Sequence, residues 1–128
     1  MSGIIEQITW LAINMYHEAR GESLEGKIAI GHVVLNRARK NGISMKEVIL
    51  KPYQFSWANH EARPPIGDYQ AFIECQKAAI QCLEKQLEGK TLSGADLYYN
   101  PAVASPEWAK SDKVKEICVI GNHRFMRE

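Results

Sequence analysis

The chain opens on a hydrophobic rhythm of three and four. Ile4, Ile8, Leu11 and Met15 keep that spacing, and Ile5, Ala12 and Ala19 widen the stripe. The pattern predicts an amphipathic helix over 4–19, with Glu6, Gln7, Asn14 and His17 largely off its apolar face. Gly21 is the expected stop. Residues 24–40 are apolar almost all round, through Leu24, Ile28, Ala29, Ile30, Val33, Val34, Leu35 and Ala38. Such a helix belongs at the centre of a domain and should be its most buried one. Lys27 and Asn36-Arg37 interrupt it. Ser23 is a suitable N-cap, Glu25 suits the positive end of the dipole, and Asn41-Gly42 closes the helix.

Ser44-Met45-Lys46-Glu47 is a capping box, which predicts a short third helix over 44–50, stopped by Pro52. Asp68 caps a fourth helix over 69–88, and Gly89 ends it. Its expected buried face is Tyr69, Phe72, Ile73, Ala79, Ile80, Leu83 and Leu87. Between these two helices, Tyr53 to Trp57 reads as a short extended segment. The nine residues from Asn59 to Gly67 read as a loop, long enough to be a functional flap. After Ala95 the rhythm changes. Leu97-Tyr98-Tyr99 and His123-Arg124-Phe125 predict two short strands that can pair. The stretch from Pro106 to Ile120 predicts a short helix and a loop. The fold class is mostly α (α+β), one domain over 1–128 with a small β element.

Composition changes this picture little. A chain of 128 residues can bury a core without a metal or disulfide staple. The net charge of +1 and the lack of a basic run give no argument for a nucleic-acid partner. No apolar run approaches the roughly 18 residues of a membrane span, so no membrane insertion is expected. Met1 to Gln7 carries neither a basic start nor an unbroken apolar core, so synthesis in the cytoplasm without a Sec signal is expected. Cys75 and Cys82 are seven residues apart on one predicted helix. That separation is about 10 Å, too far to bridge. With Cys118 they read as buried thiols rather than a disulfide framework or zinc site.

Chemistry concentrates in Tyr16-His17-Glu18-Ala19-Arg20-Gly21-Glu22-Ser23, where the first helix ends and the second begins. In the last turn of a helix, the negative end of the dipole disfavours an ionised Glu18. Partial burial against aromatics pushes the same way. Both raise a carboxyl pKa, as a general acid near neutral pH requires. Glu22 stands at the positive end of the next helix, as an ion that can pair with Arg20 or hold the turn. Both glutamates also read as plain surface carboxylates at a helix junction, and spacing alone does not decide. His17 beside Glu18 is a poor metal co-ligand, because neighbours on a helix point about 100° apart. No HExxH, GxSxG or Cys–His pairing is present, and no metal or other cofactor is expected. Aromatics with polar neighbours, as in Gln54-Phe55-Ser56 and Tyr98-Tyr99-Asn100, suit a groove for sugar rings, and each reads equally as a core residue of a small sheet.

Five blocks in order then carry a resemblance. Glu18-Ala19-Arg20-Gly21-Glu22 with Glu25-Gly26 is followed by Val33 to Arg37. Gln54-Phe55-Ser56 comes next, then Ala95, Tyr98-Tyr99-Asn100-Pro101 and Trp108, and last Ile120 to Phe125. Over about residues 10–125 the chain resembles the SleB-like, spore-cortex-lytic family of cell-wall hydrolases. The resemblance implies a lysozyme-like fold that cleaves the glycan strand of peptidoglycan by lytic transglycosylation. It places the catalytic acid/base on Glu18. Gln54, Phe55, Ser56, Tyr98, Tyr99, Asn100 and His123 would line the groove, with Arg20 and Glu22 supporting. The lack of a wall-binding domain, the lack of a signal peptide and the 59–67 loop depart from the family and suit a monomeric phage lysin released by a holin. A muramidase-type hydrolase, an amidase and a non-catalytic wall-binding or virion module are the alternatives.

Overall fold

The structure is a computed structural model and describes residues 3–51 and 65–128. The extended segment and most of the flap predicted between 52 and 64 lie outside the described residues.

Four α-helices stand where the apolar rhythm put them: α1 Ile4–Ala19, α2 Leu24–Asn41, α3 Met45–Leu50 and α4 Tyr69–Leu87. The caps follow the predicted chemistry. Ser23 Oγ accepts from Gly26 N at 3.1 Å, and Asp68 Oδ1 accepts from Ala71 N at 3.0 Å. The Ser44–Glu47 capping box is closed in both directions. Gly42 ends α2 with φ of 66°, a left-handed conformation that glycine adopts without a Cβ penalty.

Helix α2 is central. Residues Gly26 to Asn36 are all buried, and Ile30, Val33 and Val34 are fully enclosed. It crosses α1 and α4 so closely at Gly31 that a Cβ there would lie 2.7 Å from both Cys82 Sγ and Met15 Cε. Glycine is the only residue without the atom that would collide. The three polar interruptions of α2 are anchors. Lys27 Nζ donates to Glu22 O at 2.7 Å. Asn36 Nδ2 donates to Thr91 O and Ala95 O, each at 2.8 Å, and Arg37 Nε donates to Asp96 O. The bonds of Asn36 and Arg37 pin the start of the β region to the helical core.

Three details of the helices differ from expectation. Asn14 is buried to 1% exposure on the face of α1 that packs inward. Its neighbours Leu11 and Met15 carry it into the core, so polarity alone misplaced it. The buried face of α4 is Cys75, Ala78, Ala79, Cys82 and Leu83, while Tyr69, Ile73, Ile80 and Leu87 are exposed. Small residues win that face because α4 lies tight against α2 at Gly31. Gly21 is not a left-handed stop. The chain turns through a Glu22 N–H to Ala19 C=O bond of 2.9 Å.

The β element is a three-stranded antiparallel sheet in the order β1 (Leu97–Tyr99), β3 (His123–Arg127), β2 (Lys115–Ile120). The predicted pairing of β1 with β3 is present, with Tyr98 opposite Phe125. The strand β2 corrects the loop expected up to Ile120. A register shift between Glu116 and Cys118 lets both Ile117 and Cys118 pack on a second core around Ala29, Ile30, Val33 and Phe125. That bulge removes the alternation by which a strand is read from sequence.

Candidate active site

The end of α1, the turn into α2 and the β2–β3 turn enclose a cleft of about 360 Å³. Its described walls are residues Tyr16 to Glu22 on one side and Asn100, Asn122 and His123 on the other. Glu18, Arg20, Glu22, Asn100 and His123, all singled out from sequence, therefore meet around one space. Gln54, Phe55 and Ser56 lie outside the described residues.

Glu18 sits in the last turn of α1, half-buried. Burial raises its pKa. The Tyr98 hydroxyl, set against the carboxyl from the inner side, and the Arg37 cation pull it back, and the net direction is upward. Tyr98 is driven well above the usual phenol range by its own burial and by Glu18. Glu18 is thus a carboxyl that holds its proton more tightly than one in water, with two groups behind it that tolerate the ion once the proton has gone.

Glu22 is held differently. Its Oε1 accepts from Asn122 N at 3.1 Å and stands 3.0 Å from His123 Nδ1. Its Oε2 accepts from Asn122 Nδ2 at 3.1 Å. The β2–β3 turn closes round it: Gly121 has φ of 56°, and a Cβ there would lie 2.9 Å from Oε1. The expected Glu22–Arg20 pair is not formed. Arg20 instead donates to the Tyr16 hydroxyl and lies over the Tyr16 ring, 4.5 Å from its centroid. Tyr16 in turn accepts from Asp68 N at 3.0 Å and fixes the start of α4. Arg20, two residues away in sequence, was outcompeted by a turn one hundred residues on.

Tyr98 and Tyr99 separate because side chains alternate along a strand. Tyr98 points inward, its ring edge-on to His123 at 5.3 Å. Tyr99 packs edge-on against Trp108 at 5.6 Å and accepts from Arg124 Nη1 at 3.3 Å. Neither tyrosine is among the described cleft-wall residues, although both were expected there; Tyr98 reaches the site from behind, through its hydroxyl against Glu18. Sequence reasoning missed Asn122 as a site residue, although it lies inside the Gly121-Asn122-His123 block. It also missed His17 as a wall residue. Burial and the Arg20 charge lower the pKa of His17.

The Cell Wall Hydrolase family model matches residues 21–126, so the chain belongs to that family. The match covers Glu22, Tyr98, Asn122 and His123 and begins just after Glu18. Among curated relatives, the spore cortex-lytic enzyme of Oceanobacillus iheyensis is 31% identical over 94% of this chain and 41% of its own length. That of Bacillus subtilis is 32% identical over 92% of this chain and 36% of its own length. The chain therefore spans about two-fifths of the relatives it matches. The fold is similar to the catalytic domain of the germination-specific lytic transglycosylase SleB from Bacillus anthracis. The TM-score is 0.72 at 25% identity, covering 94% of this chain and 93% of that one. The mostly helical (α+β) class expected from sequence is that of this domain.

Proposed function

We propose that this domain cleaves the glycan strand of peptidoglycan between N-acetylmuramic acid and N-acetylglucosamine, as a lytic transglycosylase with Glu18 as acid and base. The observation that carries the reading is the half-buried Glu18, its pKa raised, in the wall of a polar cleft on a cell-wall hydrolase fold. Glu18 protonates the glycosidic oxygen as the C1–O bond breaks. The substrate's own N-acetyl carbonyl oxygen then bonds C1 and carries the positive charge. The Glu18 carboxylate draws the proton from the sugar 6-hydroxyl as its oxygen displaces the acetamido oxygen at C1. The 1,6-anhydro ring closes, and no water is consumed. Arg37 and Tyr98 favour the ionised intermediate state, which lets one carboxyl serve both halves. The enzyme works as a monomer on the strand. No described helix is long and apolar enough to cross a membrane.

Mass spectrometry of products from purified peptidoglycan tests this. Expected are muropeptides with 1,6-anhydromuramyl ends. Reducing muramyl ends would make it a muramidase-type hydrolase, and peptides released from intact glycan would make it an amidase.

A further inference from the structure

Glycoside cleavage ordinarily takes two carboxylates. Glu18 and Glu22 both line the cleft, yet Glu22 cannot act directly on a sugar. Both of its oxygens are occupied, by the backbone and side-chain amides of Asn122 and by His123. Its side chain is only 11% exposed, and the Gly121 turn lies close against Oε1. What Glu22 can do is fix His123. Both carboxylate oxygens accept from Asn122, so Nδ1 is the imidazole nitrogen that carries a proton toward Glu22. In the neutral ring Nε2 is then an acceptor, and the ring that carries it lines the same cleft as Glu18. The edge-on packing on Tyr98 holds the ring plane.

We propose that His123, oriented by Glu22, is the second functional group of the cleft: its Nε2 accepts the N–H of the substrate's 2-acetamido group. This rests on the glycan-cleaving reading and adds to it. As the acetamido oxygen bonds C1, the positive charge spreads to nitrogen and its N–H becomes a stronger donor. A hydrogen bond to Nε2 therefore strengthens on the way to the transition state, which is the kind of contact that raises turnover. The partial positive charge passed to the imidazole meets the Glu22 carboxylate on its far side. No proton needs to be transferred. The pair supplies through a ring what a second carboxylate supplies directly in other glycosidases, and Glu22 is a positioning residue in it.

His123→Asn separates this role from a structural one, because asparagine can still donate to Glu22 from roughly the Nδ1 position but has nothing at Nε2. Steady-state kinetics on a defined muramyl oligosaccharide should show kcat/KM lowered about 10- to 100-fold, mostly in kcat, at an unchanged melting temperature. His123→Gln, whose amide reaches the Nε2 position, should recover part of the loss. A 2-acetamido iminosugar, whose ring cation draws on the acetamido oxygen and which keeps the acetamido N–H, should bind His123→Asn more weakly by a similar factor, while the plain disaccharide product binds both proteins alike. Near-normal turnover of His123→Asn, or equal weakening of iminosugar and product, overturns the proposal. If His123→Asn folds poorly, nitrogen NMR of wild-type His123 decides. The Nε2 signal should move when the iminosugar binds, and an unmoved signal overturns the proposal. Glycan cleavage by the wild type with no role for His123 removes only this inference, whereas no glycan cleavage at all removes the reading beneath it.

Discussion

Glu18 and Glu22 stand four residues apart in one short stretch, and the fold treats them in opposite ways. Glu18 ends a helix and is set into partly dry surroundings, with its proton held more tightly than in water. Glu22 is surrounded by donors, three hydrogen bonds on two oxygens, from a turn that arrives from the far end of the chain. Desolvation makes a carboxyl reactive toward a substrate proton, and saturation with donors makes one an anchor. The same side chain holds its proton or anchors a turn according to what surrounds it.

The widest gap between the two should appear in turnover. Glu18→Gln keeps shape but can neither give nor take a proton. General acid–base catalysis contributes on the order of 10²–10⁴-fold, so cleavage of purified peptidoglycan should fall at least that far in a folded protein. Near-normal turnover would move the acid away from Glu18.

Glu22→Gln should lie between. The amide oxygen can still accept from Asn122 N and His123, but the amide nitrogen then faces the Asn122 Nδ2 donor, and the charge is lost. Hydrogen bonds to charged groups contribute about 1.5–3 kcal/mol, so a partial loss of roughly 1–2 kcal/mol, a few degrees in Tm, is expected by calorimetry. Turnover should fall roughly tenfold, through His123. A fully stable Glu22→Gln with turnover as low as that of Glu18→Gln would reverse the two assignments.

A smaller effect is expected from Tyr98→Phe. The hydroxyl lowers the Glu18 pKa against the upward push of burial. Removing it should leave Glu18 protonated to higher pH. The alkaline limb of the kcat/KM profile, where Glu18 loses its proton, should move upward. A limb that stays or moves down would show that Tyr98 does not act on Glu18.

The sequence made one of these environments legible and hid the other. Local signals announced the end of α1, the buried α2 and the position of Glu18 in the last turn of α1, because caps and periodicity act within a few residues. The clamp on Glu22 depends on Asn122 and His123 folding back across one hundred positions. No local pattern encodes that, so the nearby Arg20 looked like the partner. The two tyrosines part for a related reason. Adjacent aromatics read alike in sequence, while a strand sends them to opposite faces. The buried face of α4 was legible only in part: Ala79 and Leu83 are buried as expected, but close packing at Gly31 brings Cys82 inward, with Cys75 and Ala78, in place of Ile73 and Ile80.

The finest distinction between the two carboxylates is in stability against pH. The folded-state pKa of Glu18 is raised above that of the unfolded chain. Between those two pKa values the native state binds more protons than the unfolded one, so stability falls as pH rises through that window. Above it, the buried ion is a standing cost to the fold. Glu18→Gln removes that cost, because glutamine has no charge to desolvate. The variant should therefore melt slightly higher than the wild type at pH 7. The gain should shrink as pH drops below the folded pKa of Glu18, where the wild-type side chain is itself neutral. Glu22→Gln should melt lower than the wild type at pH 7. Melts of the three proteins across a pH series would show one substitution stabilising and the other destabilising. If Glu18→Gln melts lower at pH 7 than the wild type, the carboxylate of Glu18 is holding the fold together, and the contrast between the two glutamates collapses.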